Sequence, residues 1–195
     1  MNKLVAFLLA FAAAGTISCF ANEVKYDIMG TGAPEDGKPV KVDVAEGTLS
    51  GQQPSLVGQK FMDLEEPDKD GVMHKLSEYV GKGNWILVDF WASWCGPCKA
   101  EMPNVVAAYK KYHSKGFDIV GLSFDREKDP WIRAIREWDM PWIHLSDIKY
   151  WNSKAREVYG VDAIPDNLLI DPQGIIVARG LRGNALEARL AEIFK

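Results

Sequence analysis

Trp85-Ile86-Leu87-Val88-Asp89-Phe90-Trp91-Ala92-Ser93-Trp94-Cys95-Gly96-Pro97-Cys98-Lys99-Ala100-Glu101-Met102-Pro103 carries the clearest structural signal in the chain. The continuous apolar run from Trp85 to Trp91 predicts a buried strand. Behind it two cysteines flank a Gly-Pro turn. From Lys99 to Lys115, Val105, Val106, Ala108, Tyr109 and Tyr112 recur at roughly helical spacing until Gly116 stops the run. A cysteine pair at a strand-to-helix junction is redox chemistry or half of a metal site.

The cysteine count separates the two. The chain has three cysteines, and Cys19 falls in the leader described below, which leaves Cys95 and Cys98 as the pair in the mature chain. Structural zinc takes four ligands, and His74, His113 and His144 are scattered with no pair at ligand spacing, so no metal and no cofactor is expected. A two-residue loop staples almost nothing, because the entropic gain of a disulfide grows with the loop it closes. Reactivity is what remains. Cys95 is expected at the N-terminus of the helix, where unpaired amides and the helix dipole favour the thiolate. Cys98, one turn further in, is expected to be less accessible and to resolve the mixed disulfide that Cys95 forms. Gly96 and Pro97 set the turn between them.

A length of 195 residues bounds the chain at one domain plus a small appendage. Hydrophobic content of 47% and charged content of 26% are those of an ordinary globular protein. The net charge of -4 and the lack of a basic run exclude a nucleic-acid footprint. Lys3 followed by the uncharged run Leu4 to Ala14 reads as a secretory signal, too short for a permanent membrane span. Cleavage after Ala21 makes 1–21 a signal peptide. Alternatively Ile17-Ser18-Cys19 resembles a bacterial lipobox, which makes 1–18 a lipoprotein signal and Cys19 a lipidated membrane anchor. Residues 22–53 read as a short extension and linker, with a hairpin over 26–44, and 54–195 as the domain.

Within the domain, Lys60–Leu64 and Gly71–Leu76 read as a hairpin around the polar turn Glu65 to Asp70, with a helical turn at Ser77–Val80. Phe117–Phe124 is a second buried strand, and Asp129–Trp138 a helix with Pro130 in its first turn. Ser153–Tyr159 is another helix. Asn167–Ile170 and Gly174–Ala178 flank the turn Asp171-Pro172-Gln173, and Asn184 is expected to cap a last helix from Ala185 to Phe194. Early βαβ units followed by a β-hairpin call for an α/β protein with a mixed sheet. Trp131, Trp138, Trp142 and Trp151 gather before Pro165, where core packing is the first expectation and a substrate groove the second.

Phe90-Trp91-Ala92-Ser93-Trp94-Cys95-Gly96-Pro97-Cys98-Lys99 resembles the active-site segment of thioredoxin-fold proteins. With Glu101-Met102-Pro103 behind it and a secretory leader in front, the resemblance is to the exported TlpA/ResA-like thiol:disulfide oxidoreductases. It spans residues 54–195 and takes in Gly160-Val161-Asp162-Ala163-Ile164-Pro165, Leu169-Ile170-Asp171 and Gly174. The resemblance implies a thioredoxin-like fold: a mixed central sheet flanked by helices, with an extra N-terminal β-hairpin and a helical insertion. It implies a redox-active Cys95–Cys98 disulfide and a cis peptide bond before Pro165, with Ile164 offering its backbone to a substrate strand. Asp89 and Glu101 become proton partners of the resolving thiol, since a carboxylate withdrawn from water has a raised pKa. Trp94, Gly96 and Pro97 become substrate contacts.

The implied partners are protein disulfides and a separate thiol/disulfide electron-transfer protein in the bacterial cell envelope or periplasm. Maturation of c-type cytochromes is the best-known task of such proteins. The alternative reading is a peroxiredoxin-like thiol peroxidase. That group usually has Thr or Ser three residues before its reactive cysteine, where this chain has Ala92. A third reading is a non-catalytic binding module on the same fold, which the intact cysteine pair argues against.

Overall fold

The computed structural model describes residues 55–195. The expected leader with Cys19 and the expected hairpin and linker up to residue 53 lie outside the described residues. An antiparallel hairpin comes first, β1 Glu65–Pro67 and β2 Met73–Lys75. Composition places Glu65 to Asp70 in the turn, but Asp68 does the turning: its Oδ1 accepts the amides of Asp70 (2.8 Å) and Val72 (2.9 Å). That side-chain closure lets Glu65 to Pro67 extend into a strand. Glu66 is therefore buried rather than a surface turn residue.

β3 (Trp85–Trp91), β4 (Phe117–Ser123), β5 (Ile143–Leu145), β6 (Asp166–Ile170) and β7 (Ile176–Arg179) form one mixed sheet in the order β5-β4-β3-β6-β7. β3 pairs parallel with β4 and antiparallel with β6, so it is the middle strand. The parallel crossovers carry α1 (Gly96–Tyr112) and α2 (Lys128–Glu137). Between β5 and β6 runs a 3-10 turn, Tyr150–Asn152, followed by α3 (Lys154–Tyr159), which Ser153 caps through the Ala155 amide. This is the helical insertion. α4 (Asn184–Ile193) closes the chain and packs on α1, with Phe194 stacked on Tyr112 at 5.4 Å.

Two further local expectations change, and one strand was not expected. α1 starts at Gly96 rather than Lys99, because Pro97 is tolerated in a first turn whose amides have no helical partner anyway. α4 is not capped by Asn184: that residue is already helical, and Gly183 occupies the cap with no side-chain hydrogen bond. β5, only three residues long, is too short to show an alternation in sequence.

Register lines up Asn167, Asp89, Gly121 and His144 side by side across the sheet. Neighbours in such a row share a face. Gly121 is the small member, and a Cβ there would lie 2.4 Å from His144 Nδ1 and 3.0 Å from Trp91 Nε1. Both rings are themselves buried. Gly121→Ala is therefore expected to overpack the sheet and lower the unfolding free energy by about 1–3 kcal/mol. The readout is a lower urea midpoint at unchanged slope; a midpoint equal to the parent's would mean that the rings move aside freely.

Candidate active site

β3 runs directly into the turn that carries the cysteines. Cys95 closes that turn by donating its amide to Ala92 O (3.1 Å) and then becomes the N-cap of α1. Its Sγ accepts the Cys98 amide at 3.1 Å. A sulfur in that position takes the place of an oxygen cap at the positive end of the helix, so once reduced its thiolate is the favoured form. The two cysteines are joined as a disulfide, with Cys95 4% and Cys98 1% exposed. Both cysteines are buried, and Cys95 is the one whose sulfur the helix end serves.

Asp89 sits in the middle of β3, only 3% exposed. Burial first, then the carboxylates of Glu101 and Asp166, push its pKa up to about 7. Glu101, expected to be withdrawn from water as well, is instead half-exposed, and both of its oxygens are engaged. Oε1 accepts the Gly183 amide at 2.7 Å and Oε2 accepts Asn104 Nδ2 at 3.1 Å. Asp166 is ion-paired with Arg179 at 2.7 Å. The same guanidinium donates to the carbonyls of Tyr159 (3.1 Å) and Gly160 (2.9 Å), closing the end of α3.

The Ile164–Pro165 bond is cis. Asp166 pairs with Phe90 at the end of β3, so the residues just before it arrive at the same end of the sheet as the Cys95 turn. Topology brings together what sequence separates. Trp94 is 43% exposed. Its indole donates to Phe124 O at 3.2 Å and packs on Tyr150 (5.0 Å) and Trp151 (6.1 Å). Beside it lies a groove of about 250 Å³ lined by Ser93, Trp94, Asp125, Arg126, Glu127, Pro130 and Tyr150. Of the clustered tryptophans, Trp131 and Trp142 are buried in the core, Trp138 packs on Trp91, and Trp151 belongs to the wall around Trp94.

Sequence reasoning missed Asp125 and the turn before α4. Asp125 is buried and accepts three hydrogen bonds: Ser93 N (3.0 Å), Ser93 Oγ (2.5 Å) and Ser123 Oγ (2.7 Å). It ties the end of β4 to the residue two before Cys95. An aspartate closing an apolar strand, with Ser93 standing before the cysteines, was the available signal. For the turn before α4 no local signal exists, since its partners come from α1 and β6.

The described residues contain no group of three or more metal-ligating side chains. The AhpC/TSA family profile matches residues 57–179. A thiol-disulfide oxidoreductase ResA of Bacillus cereus is 27% identical over 150 residues, covering 77% of this chain and 83% of that protein. ResA of Oceanobacillus iheyensis is 35% identical over 132 residues, covering 66% and 65%. Among solved structures, the thioredoxin domain of a thiol-disulfide oxidoreductase from Bacteroides vulgatus matches with a TM-score of 0.65 at 32% identity, covering 71% of this chain and 98% of that one. A crystal structure described as a putative thiol:disulfide interchange protein DsbE, from Chlorobium tepidum, matches with a TM-score of 0.61 at 29% identity, covering 70% and 94%.

The raised pKa of Asp89 has a consequence for stability. Between its ordinary value of 3.8 and about 7 the carboxyl is protonated in the folded chain and ionised in the unfolded one. Stability is therefore lost as pH rises through that window and stays lost above it. Glu66, raised to about 7 by burial and then by Asp147, acts in the same direction. His144, pushed down to about 3 by burial, acts oppositely on the acid side. Comparing oxidised Asp89→Asn with the parent isolates the first group. The variant is expected to gain on the order of 1–4 kcal/mol over the parent at about pH 8, with the gain fading towards about pH 4. Denaturant midpoints across pH read it, and a gain independent of pH would count against the assignment.

Proposed function

We propose that this chain, which belongs to the AhpC/TSA family and is a thiol-disulfide oxidoreductase of the ResA type, reduces protein disulfides in the bacterial cell envelope. The observation that carries the reading is Cys95 as N-cap of α1, with the Cys98 amide on its Sγ. In the reduced protein the Cys95 thiolate attacks one sulfur of a substrate disulfide. A Cys95–substrate bond forms, the substrate S–S bond breaks, and the released substrate thiolate takes a proton from solvent. Cys98 then loses its proton and attacks Cys95 Sγ. The Cys95–Cys98 bond forms, the second substrate thiol leaves, and two electrons have passed to the substrate.

Asp89 is the acceptor of the Cys98 proton in this reading, supported by its burial and by a pKa near the working range. Glu101 raises that pKa by its charge and is tethered in place by Gly183. Ile164, Pro165, Trp94, Gly96 and Pro97 form the edge on which a substrate strand lies. A separate thiol/disulfide protein returns the chain to the dithiol form. Residues 1–21, or 1–18 with a lipidated Cys19, direct export, residues 22–53 are a linker, and 54–195 carry the catalysis. Reduced haem-attachment cysteines of a c-type cytochrome are the client class this reading favours. Against the peroxidase alternative, Ala92 stands fully buried where that chemistry uses a hydroxyl.

Reduction of insulin by the dithiol form is the direct assay. Cys95→Ser is expected to abolish it, and Cys98→Ala to stop at the mixed disulfide, which runs as a covalent adduct on a non-reducing gel. A Cys95→Ser protein as active as the parent would sink the reading, and rapid peroxide consumption without a protein substrate would favour the alternative.

A further inference from the structure

The turn between β7 and α4, residues 180–183, is fastened on three sides. Gly180 donates its amide to Asn167 O at 2.9 Å. The buried Asn167 side chain then grips Leu181 on both backbone groups, donating to its carbonyl at 2.7 Å and accepting its amide at 3.0 Å. Gly183 donates to Glu101 on α1 at 2.7 Å, adopting φ 50 and ψ -126, a conformation that belongs to glycine. Arg182, between these anchors, donates from its guanidinium to the carbonyl of Pro165. One four-residue turn therefore holds both the helix that carries the cysteines and the segment that carries Ile164 and Pro165.

The bond from Arg182 is the unusual one. Pairing of β6 with β3 begins at Asp166, so the Pro165 carbonyl lies one residue outside the ladder. Arg182 is an exposed residue with no carboxylate partner among the described residues, yet it is committed to a backbone oxygen. The held carbonyl belongs to the Pro165-Asp166 peptide, and because the proline ring locks φ at Pro165, fixing that plane carries over to the direction in which the chain arrives from Ile164.

We propose that Arg182 is a positioning residue for polypeptide substrates: by holding the Pro165 carbonyl it orients the backbone edge of Ile164, to which the strand bearing the substrate disulfide adds. The inference rests on the disulfide-reductase reading above and extends it to a residue that does not touch the sulfur chemistry. Main-chain pairing of an added strand contributes affinity only for a polypeptide. A small aromatic disulfide has no main chain to pair with that edge, so its reduction does not depend on it. Arg182 therefore acts on one substrate class and not on the other.

The test uses the whole chain in its dithiol form with two substrates, insulin and a small aromatic disulfide. For Arg182→Met, which keeps the stem and removes the donor, KM for insulin is expected to rise about tenfold, with kcat and the rate on the small disulfide within about twofold of the parent. Arg182→Lys, which keeps a charged donor, should recover most of the loss. Equal losses on both substrates would overturn the proposal, because Arg182 would then act on the cysteines. So would parent-like kinetics on both, or a variant too unstable to assay, which would make the residue merely structural. A parent that itself fails on insulin removes the disulfide-reductase reading and this inference with it, whereas an active parent with unaffected Arg182 variants removes the inference alone.

Discussion

A strand paired on both edges and buried on both faces can leave the sheet only at its ends, and β3 leaves at the end where parallel strands hand over to helices. The first turn of α1 has no helical partners for its amides, and the residue placed there meets several aligned donors at once. In this chain that residue is a cysteine. The Gly-Pro pair behind it removes one amide and narrows the turn, and the Cys98 amide is left pointing at Sγ. The helix cap and the sulfur proposed as nucleophile are thus one atom.

The same strand keeps a carboxyl at the centre of the sheet. Asp89 costs stability in its ionised form, and the cost is what gives it a proton affinity near neutrality. Its neighbours divide into those that raise the cost and those that contain it. Glu101 and Asp166 add negative charge, but Arg179 neutralises much of Asp166 and the Gly183 amide restrains Glu101. Asn167 lies alongside in the register and turns its amide to the backbone of the next turn instead. Below about pH 7, where Asp89 is protonated, the row is polar without being charged, which is how a sheet core tolerates it.

Around the cysteines the surface is assembled from places far apart in the chain. Asp125, at the end of β4, fastens Ser93, and the Trp94 ring rests on Tyr150 and Trp151 from the insertion between β5 and β6. Arg126 lies over Tyr150 at 5.5 Å, and with Glu127 and Asp125 also lining the groove the aromatic wall has a rim of both charges. The wall stands around Trp94, the residue before Cys95, and the Ile164-Pro165 segment reaches the same end of the sheet through the pairing of Asp166 with Phe90.

The parts whose physics is local were legible in the order of residues alone. The apolar run of β3, the two-residue cysteine spacing, Gly116 and Gly160 in left-handed conformations at helix ends, and Pro130 in a first turn are readable because neighbours in the chain are neighbours in space. The mixed thioredoxin-like sheet flanked by helices followed from those pieces and the resemblance, while the strand order came from the pairing itself. What the tertiary structure alone decided depends on partners distant in sequence. Glu66 looks like a turn residue until Asp68 closes the turn beyond it. Glu101 looks like a second buried carboxylate until Gly183 and Asn104 take its oxygens. Asn184 looks like a cap until the chain enters α4 at Gly183. The hold of Arg182 on Pro165 has no sequence signature at all, because a side chain's choice of a backbone carbonyl is set only when sheet pairing leaves that carbonyl without a partner.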